Sequence, residues 1–188
     1  MREVEVKAVV SDAEAKQRLA VQAGARLMFE GHLRDRRYDT TDGSLLKKDE
    51  VVRVRSYVSR ASTEVFLDWK GATDTSSGYK VREEVSTGIT DEKALATMLD
   101  RLGFSTVREI DRRIVQYELG QTTIRFEFYP RMDDLVEIEG DPEAIERAIE
   151  ALGMSRGEFT SEALGAFVER FQRRTGVKAA ISDGDLAL

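Results

Sequence analysis

Arg2-Glu3-Val4-Glu5-Val6-Lys7-Ala8 alternates charged and apolar residues at nearly every step. Side chains on a strand alternate faces, so Glu3, Glu5 and Lys7 share one face and Val4 and Val6 the other. Two carboxylates about 7 Å apart on one rigid face can share a divalent cation or flank one. The alternative is a solvated strand face with its polar groups outward. The choice turns on whether the chain repeats the device.

It does. In Val51-Val52-Arg53-Val54-Arg55 the two arginines share a face. Between Glu64 and Lys70, residues Glu64, Phe66, Asp68 and Lys70 oppose Val65, Leu67 and Trp69, and the pattern expects Trp69 to pack under a helix. From Tyr79 to Thr87, Lys80, Arg82 and Glu84 face together. Leu27 to Thr40 reads as extended, as do Glu109 to Leu119 with Arg112 and Arg113 and Thr122 to Tyr129 with Arg125 and Glu127. Leu135 to Glu139 repeats the opening, with Glu137 and Glu139 on one face.

Four helices punctuate these strands. Ser11-Asp12-Ala13-Glu14 reads as a capping box, Thr90-Asp91-Glu92 as a cap, and Asp141-Pro142 as a helix start with proline first. A fourth amphipathic run carries Leu164, Phe167, Val168 and Phe171 and ends at Gly176. Each helix has one apolar stripe, with Leu95, Met98, Leu99 and Leu102 forming that of the second. Residues 1–176 therefore read as one domain, and 177–188 as a frayed tail. A weak internal repeat also shows: Asp35-Arg36-Arg37 recurs as Asp111-Arg112-Arg113.

Helices covering the apolar strand faces leave one large charged face. An antiparallel sheet rolled into a closed barrel gathers that face around a lumen, giving an α+β fold. Arginine at that density suits bidentate capture of phosphate oxygens, and paired glutamates suit a hard metal. An ion-pair network without a ligand is the competing reading.

Composition narrows the chemistry. The 188 residues contain no cysteine and only His32 as histidine, which excludes thiolate chemistry and His-cluster metal sites. Any metal is held by oxygen donors, favouring Mg²⁺, Mn²⁺ or Ca²⁺. A net charge of −6 argues against general nucleic-acid binding while allowing a local basic pocket. No apolar run reaches membrane-spanning length and no signal peptide is recognisable, so a cytoplasmic protein without membrane partners is expected. A homodimer stays open.

The ordered motifs resemble the CYTH superfamily, the triphosphate tunnel metalloenzymes, over roughly residues 1 to 155. Glu3-x-Glu5-x-Lys7 matches the family signature. Tyr38-Asp39-Thr40, Arg53-x-Arg55, Lys70, Lys80-x-Arg82-x-Glu84, Arg112, Glu127 and Glu137-x-Glu139 follow in order. The family usually carries aspartate at the Glu127 position, Arg112 and Arg113 compete for one register, and Glu158 to Gly176 departs from the ending of the best-known members.

The resemblance implies an eight-stranded antiparallel tunnel with helices outside. Arg53, Arg55, Lys70, Lys80, Arg82, Arg112 and Arg125 would bind the triphosphate, joined by Lys7. Glu3, Glu5, Glu127, Glu137 and Glu139 would bind Mg²⁺ or Mn²⁺, with Glu84 supporting an arginine. Lys7, Glu3 and Glu5 would serve catalysis. The implied activity is a metal-dependent phosphohydrolase acting on tripolyphosphate or on an organic triphosphate such as thiamine triphosphate or ATP. A class IV adenylate cyclase making cyclic AMP and pyrophosphate is the first alternative, and a polyphosphate-binding module without turnover the second.

Overall fold

The structure, a computed structural model, describes residues 2–187. Its strands are β1 (Arg2–Val9), β2 (Arg26–Thr40), β3 (Val51–Val58), β4 (Thr63–Lys70), β5 (Lys80–Ile89), β6 (Phe104–Leu119), β7 (Thr122–Phe128) and β8 (Leu135–Glu139). Its helices are α1 (Ala13–Gln22), α2 (Glu92–Arg101), α3 (Pro142–Ala151) and α4 (Leu164–Thr175). The strands close into one antiparallel barrel in the order β1-β5-β4-β3-β2-β6-β7-β8. β1 makes the closure, pairing Glu3 with Arg82 and Glu5 with Lys80 on one side and Lys7 with Glu137 on the other.

Alternation then sorts the faces as expected. Val6, Ile124, Phe126, Val136 and Ile138 point outward and are fully buried beneath Ile145 and Ile149 of α3 and Leu152 at its C-cap. Each such side chain removed from water contributes about 1.5–3 kcal/mol, which makes this seam the barrel's main anchor. Pro142 opens α3 at a position that needs no amide donor.

The helix layer covers only part of the wall. α3 sits on β1, β7 and β8, and α2 leans mainly on β6. Trp69 is accordingly half-buried beside its cross-strand partner Val85, which is 56% exposed, rather than packed under a helix. In the expected α2 stripe Leu99 is buried, while Met98 and Leu102 face solvent. The cap of α1 also falls one residue later than the box predicts: Asp12, not Ser11, accepts from the Ala15 amide at 2.9 Å.

The segment expected to fray is packed. Its short apolar run supplies the reason: Ala179, Ala180 and Ile181 are buried. Ala180 exchanges backbone hydrogen bonds with Arg131, and the Asp111 amide donates to the Ile181 carbonyl at 2.8 Å. Leu188 lies outside the described residues. Ile181 joins Ile110, Tyr129, Leu135 and Phe167 in a second core that seats α4 at one end of the barrel.

Candidate active site

The lumen opens at that end into a cavity of about 340 Å³. Its lining is dominated by charged side chains from all eight strands, together with residues 161–165 at the start of α4. Most of these charges are buried, and burial of an ion is tolerated only with partners.

The β2–β3–β4 wall is built from arginines wedged against aspartates. Asp35 accepts from Arg55 at 2.8 Å and from Arg112 at 3.0 Å. Burial pushes its carboxyl up, but Arg55, Arg112 and Arg53 outweigh that and hold it well below the usual carboxylate range. Asp68 accepts from Arg53 at 2.7 Å and from the Ser86 hydroxyl at 2.6 Å. The guanidiniums are thus fixed in direction, as planar recognition of phosphate oxygens requires.

The β1–β8 wall carries the glutamates. Lys70 donates to Glu3 Oε1 at 2.6 Å and lies 3.1 Å from Glu84, while Lys80 reaches Glu5 at 2.5 Å. Lys7 sits between Glu127 (2.9 Å) and Glu137 (2.8 Å). Burial pulls its ammonium down, yet those two carboxylates raise it well above the ordinary lysine value, so it stays protonated. Arg125 completes the group at 2.7 Å from Glu137.

Glu139 stands apart. It makes no ion pair among the described residues, and burial, with Glu3, Glu137 and Glu5 nearby and Arg125 opposing, pushes its carboxyl up to about 7. Among the described residues no three carboxylates converge into a ready-made metal site. The donor chemistry nonetheless fits a hard divalent cation: Glu3, Glu5 and Glu139 are crowded oxygen donors whose mutual repulsion such a charge would relieve.

Of the residues expected at the site, Glu3, Glu5, Lys7, Arg53, Arg55, Lys70, Lys80, Arg82, Arg112, Arg125 and Glu137 line the cavity, whereas Glu84, Glu127 and Glu139 do not; Glu127 sits behind Lys7 and Arg112, and Glu84 behind Arg53 and Lys70. Arg112 points inward and is buried, while Arg113 points outward over the Phe128 ring at 3.8 Å. Arg82 lines the cavity, but its Nε donates to the Gly71 carbonyl at 2.5 Å and its terminal nitrogen to the Asp49 carbonyl, bracing two loops at the mouth. Asp39, part of the family-like Tyr38-Asp39-Thr40, accepts from the amides of Thr40, Leu45 and Leu46 and so fixes the loop before β3.

Sequence reading missed the lumenal roles of Asp35, Arg37, Arg108 and Tyr129. Asp68 had a usable signal, since it shares a face with Lys70. In Arg34-Asp35-Arg36-Arg37 both faces are charged, so no apolar alternation marks the inward one. The recurring tripeptides prove to be out of phase. Asp35 faces in toward Arg112, whereas Asp111 lies outside and accepts from Arg36 at 2.7 Å.

Among solved structures, the chain is similar to a protein described as a candidate adenylate cyclase from Vibrio parahaemolyticus, at TM-score 0.75 and 19% identity over 89% of this chain and 97% of that one. The PH1819 protein from Pyrococcus horikoshii OT3 matches at TM-score 0.74 and 25% identity, over 89% of this chain and 99% of that one. HpAC1 from Hippeastrum, described as an adenylyl cyclase candidate with a dominant triphosphatase activity, matches at TM-score 0.62 and 16% identity, over 93% and 95% of the two chains. No curated protein matches the chain. The family model of the CYTH domain matches residues 1–152, most of the sequence and the whole barrel, and the chain belongs to that family.

Proposed function

We propose that this protein is a metal-dependent triphosphatase acting on inorganic tripolyphosphate or an organic triphosphate held in the lumen. The observation that carries the reading is the pairing of two walls in one cavity: aspartate-oriented arginines on β2–β3–β4 and clustered glutamates on β1 and β8. Members of the family are typically enzymes acting on triphosphates.

Arg53, Arg55, Arg112 and Arg125 present guanidinium donors to the phosphate oxygens, with Lys70 and Lys80 swinging from Glu3 and Glu5 toward the anion. Arg82 contributes from the braced loops. Lys7, held as an ammonium by Glu127 and Glu137, donates to a phosphate oxygen and is not a base. Glu3, Glu5 and Glu139, with Glu127 and Glu137 behind them, would hold Mg²⁺ or Mn²⁺. Such a cation, when bound, neutralises the phosphate oxygens and lowers the pKa of a coordinated water. Glu84 holds Arg53 (3.4 Å) and Lys70 in place. Charge spreading over the phosphoryl oxygens in the transition state thereby meets fixed donors, which is where phosphoryl-transfer catalysis gains most.

Product analysis tests this. Purified protein is incubated with tripolyphosphate, thiamine triphosphate or ATP, with Mg²⁺ or Mn²⁺. Orthophosphate without cyclic nucleotide is the expected result. Cyclic AMP with equal pyrophosphate would replace the reading by a cyclase, and binding without any product would leave a polyphosphate-binding module.

A further inference from the structure

One part of the cavity is left over by this account. On adjacent strands Arg53 pairs with Arg37 and Arg37 pairs with Arg108, so three guanidiniums form a row across β3, β2 and β6. Like charges directly opposite one another on a sheet repel. Arg53 is compensated by Asp68, whereas Arg37 and Arg108 make no ion pair among the described residues. The nearest acid on the same face, Asp35, is engaged by Arg55 and Arg112. Arg37 Nε is buried without a hydrogen-bond partner, an arrangement that costs stability unless something accepts from it.

Arg37 and Arg108 both line the cavity. Arg37 is level with Arg53, and this row lies nearer than Arg55 and Arg112 to the β2–β3 loop, whose Leu46, Asp49 and Glu50 also line the cavity. Arg108 precedes Arg112 by four residues on β6, an offset of about 13 Å along a strand. The first turn of α4 closes the opposite lip, where residues 161–165 line the same cavity. Ala163 at its N-cap offers no side-chain acceptor, so no side chain caps this turn, although the Ala166 amide donates to the Ala163 carbonyl at 3.0 Å. Glu162 at this lip is already paired with Arg170. Two guanidiniums without ion pairs among the described residues, one of them with an orphaned buried Nε, and a helix start without a side-chain cap therefore line one space.

We infer that Arg37, Arg108 and the first turn of α4 form an outer anion subsite that binds a fourth phosphoryl group, so that the protein prefers a linear condensed phosphate of four or more units over tripolyphosphate. This rests on the reading of the inner lumen as a triphosphate site. The bridging anion accepts from both guanidiniums and relieves the repulsion across β3, β2 and β6.

Calorimetric titration of chelator-treated, metal-free protein separates the two claims. The probes are inorganic tripolyphosphate, inorganic tetraphosphate and ATP. The expected result is tetraphosphate binding about tenfold tighter than tripolyphosphate, with ATP, whose fourth position is a neutral sugar, gaining nothing. In Arg37→Gln/Arg108→Gln the tetraphosphate-to-tripolyphosphate ratio falls to near one. Arg108→Gln alone, an exposed position that carries no folding burden, lowers the ratio about threefold. Equal binding of the two inorganic phosphates by the natural protein overturns the outer subsite and leaves the triphosphate site standing. An equal gain with ATP overturns it too, because the mouth would then be reading bulk rather than charge. Failure of tripolyphosphate itself to bind overturns the inner site and the outer one together.

Discussion

The β2–β3–β4 wall and the β1–β8 wall of the lumen both carry buried carboxylates, yet they use them differently. Asp35 and Asp68 are short side chains clamped between arginines, with their charges fully matched. Glu3, Glu5 and Glu139 are longer, are met by flexible lysines or by no cation at all, and crowd one another. The first wall is a scaffold that aims guanidiniums. On the proposed function, the second is a set of exchangeable contacts, in which lysine would leave a carboxylate for phosphate while the carboxylate takes a cation. One type of charge thus gives rigidity on one side and replaceable coordination on the other.

Breaking the scaffold has the largest expected effect. Asp35→Asn leaves Arg55 and Arg112 buried without their counter-charge and lowers stability by about 3–5 kcal/mol in urea unfolding. Breaking the other wall acts on turnover instead. Glu3→Gln or Glu5→Gln lowers the metal-dependent rate by about 100- to 1,000-fold, with circular dichroism and the melting transition retained. A variant of Glu3 that unfolds, or an Asp35 variant that stays as stable as the parent, would erase the contrast.

Acid sharpens the same comparison. The carboxyls of Asp35 and Asp68 are held below the ordinary aspartate value in the fold. Burial opposes this in both, and the facing arginines outweigh it. Their contribution is therefore complete above the unfolded value of about 3.9 and is lost as pH falls through the lower folded values. Melting temperature should drop steeply below about pH 4, and the drop should be shallower in Asp35→Asn, which has already lost one of these groups. The smallest effect belongs to Ser86→Ala, which removes one hydrogen bond to Asp68 and costs about 1 kcal/mol.

Period-two alternation made the barrel legible, because nearly every strand pairs an apolar face with a charged one and a closed sheet is the arrangement that hides the charges together. The glutamates and arginines at i and i+2 on β1, β3, β5 and β8 were readable for the same reason. Legibility failed where both faces are charged. Arg34 to Arg37 carries no phase, and only the pairing with β3 and β6 shows which way Asp35 and Arg37 face. It failed also for Trp69 and the α2 stripe, since a strand pattern states that a face is apolar but not which helix, if any, reaches it. The packed C-terminal segment depends on backbone pairing with Arg131 and Asp111, a long-range contact with no local signature.

The unbroken ladder of the barrel carries a topological consequence. Every strand is bonded on both sides, so there is no seam through which a ligand could be laid in sideways without unzipping a row of backbone hydrogen bonds. A guest must be threaded lengthwise, leading with a slim end. A phosphate chain with one bare terminus can do this, and one stoppered by bulky groups at both termini cannot, however well its middle would match the arginines. On the proposed function, selection at this site would therefore begin with the shape of a molecule's tip, before any charge is read.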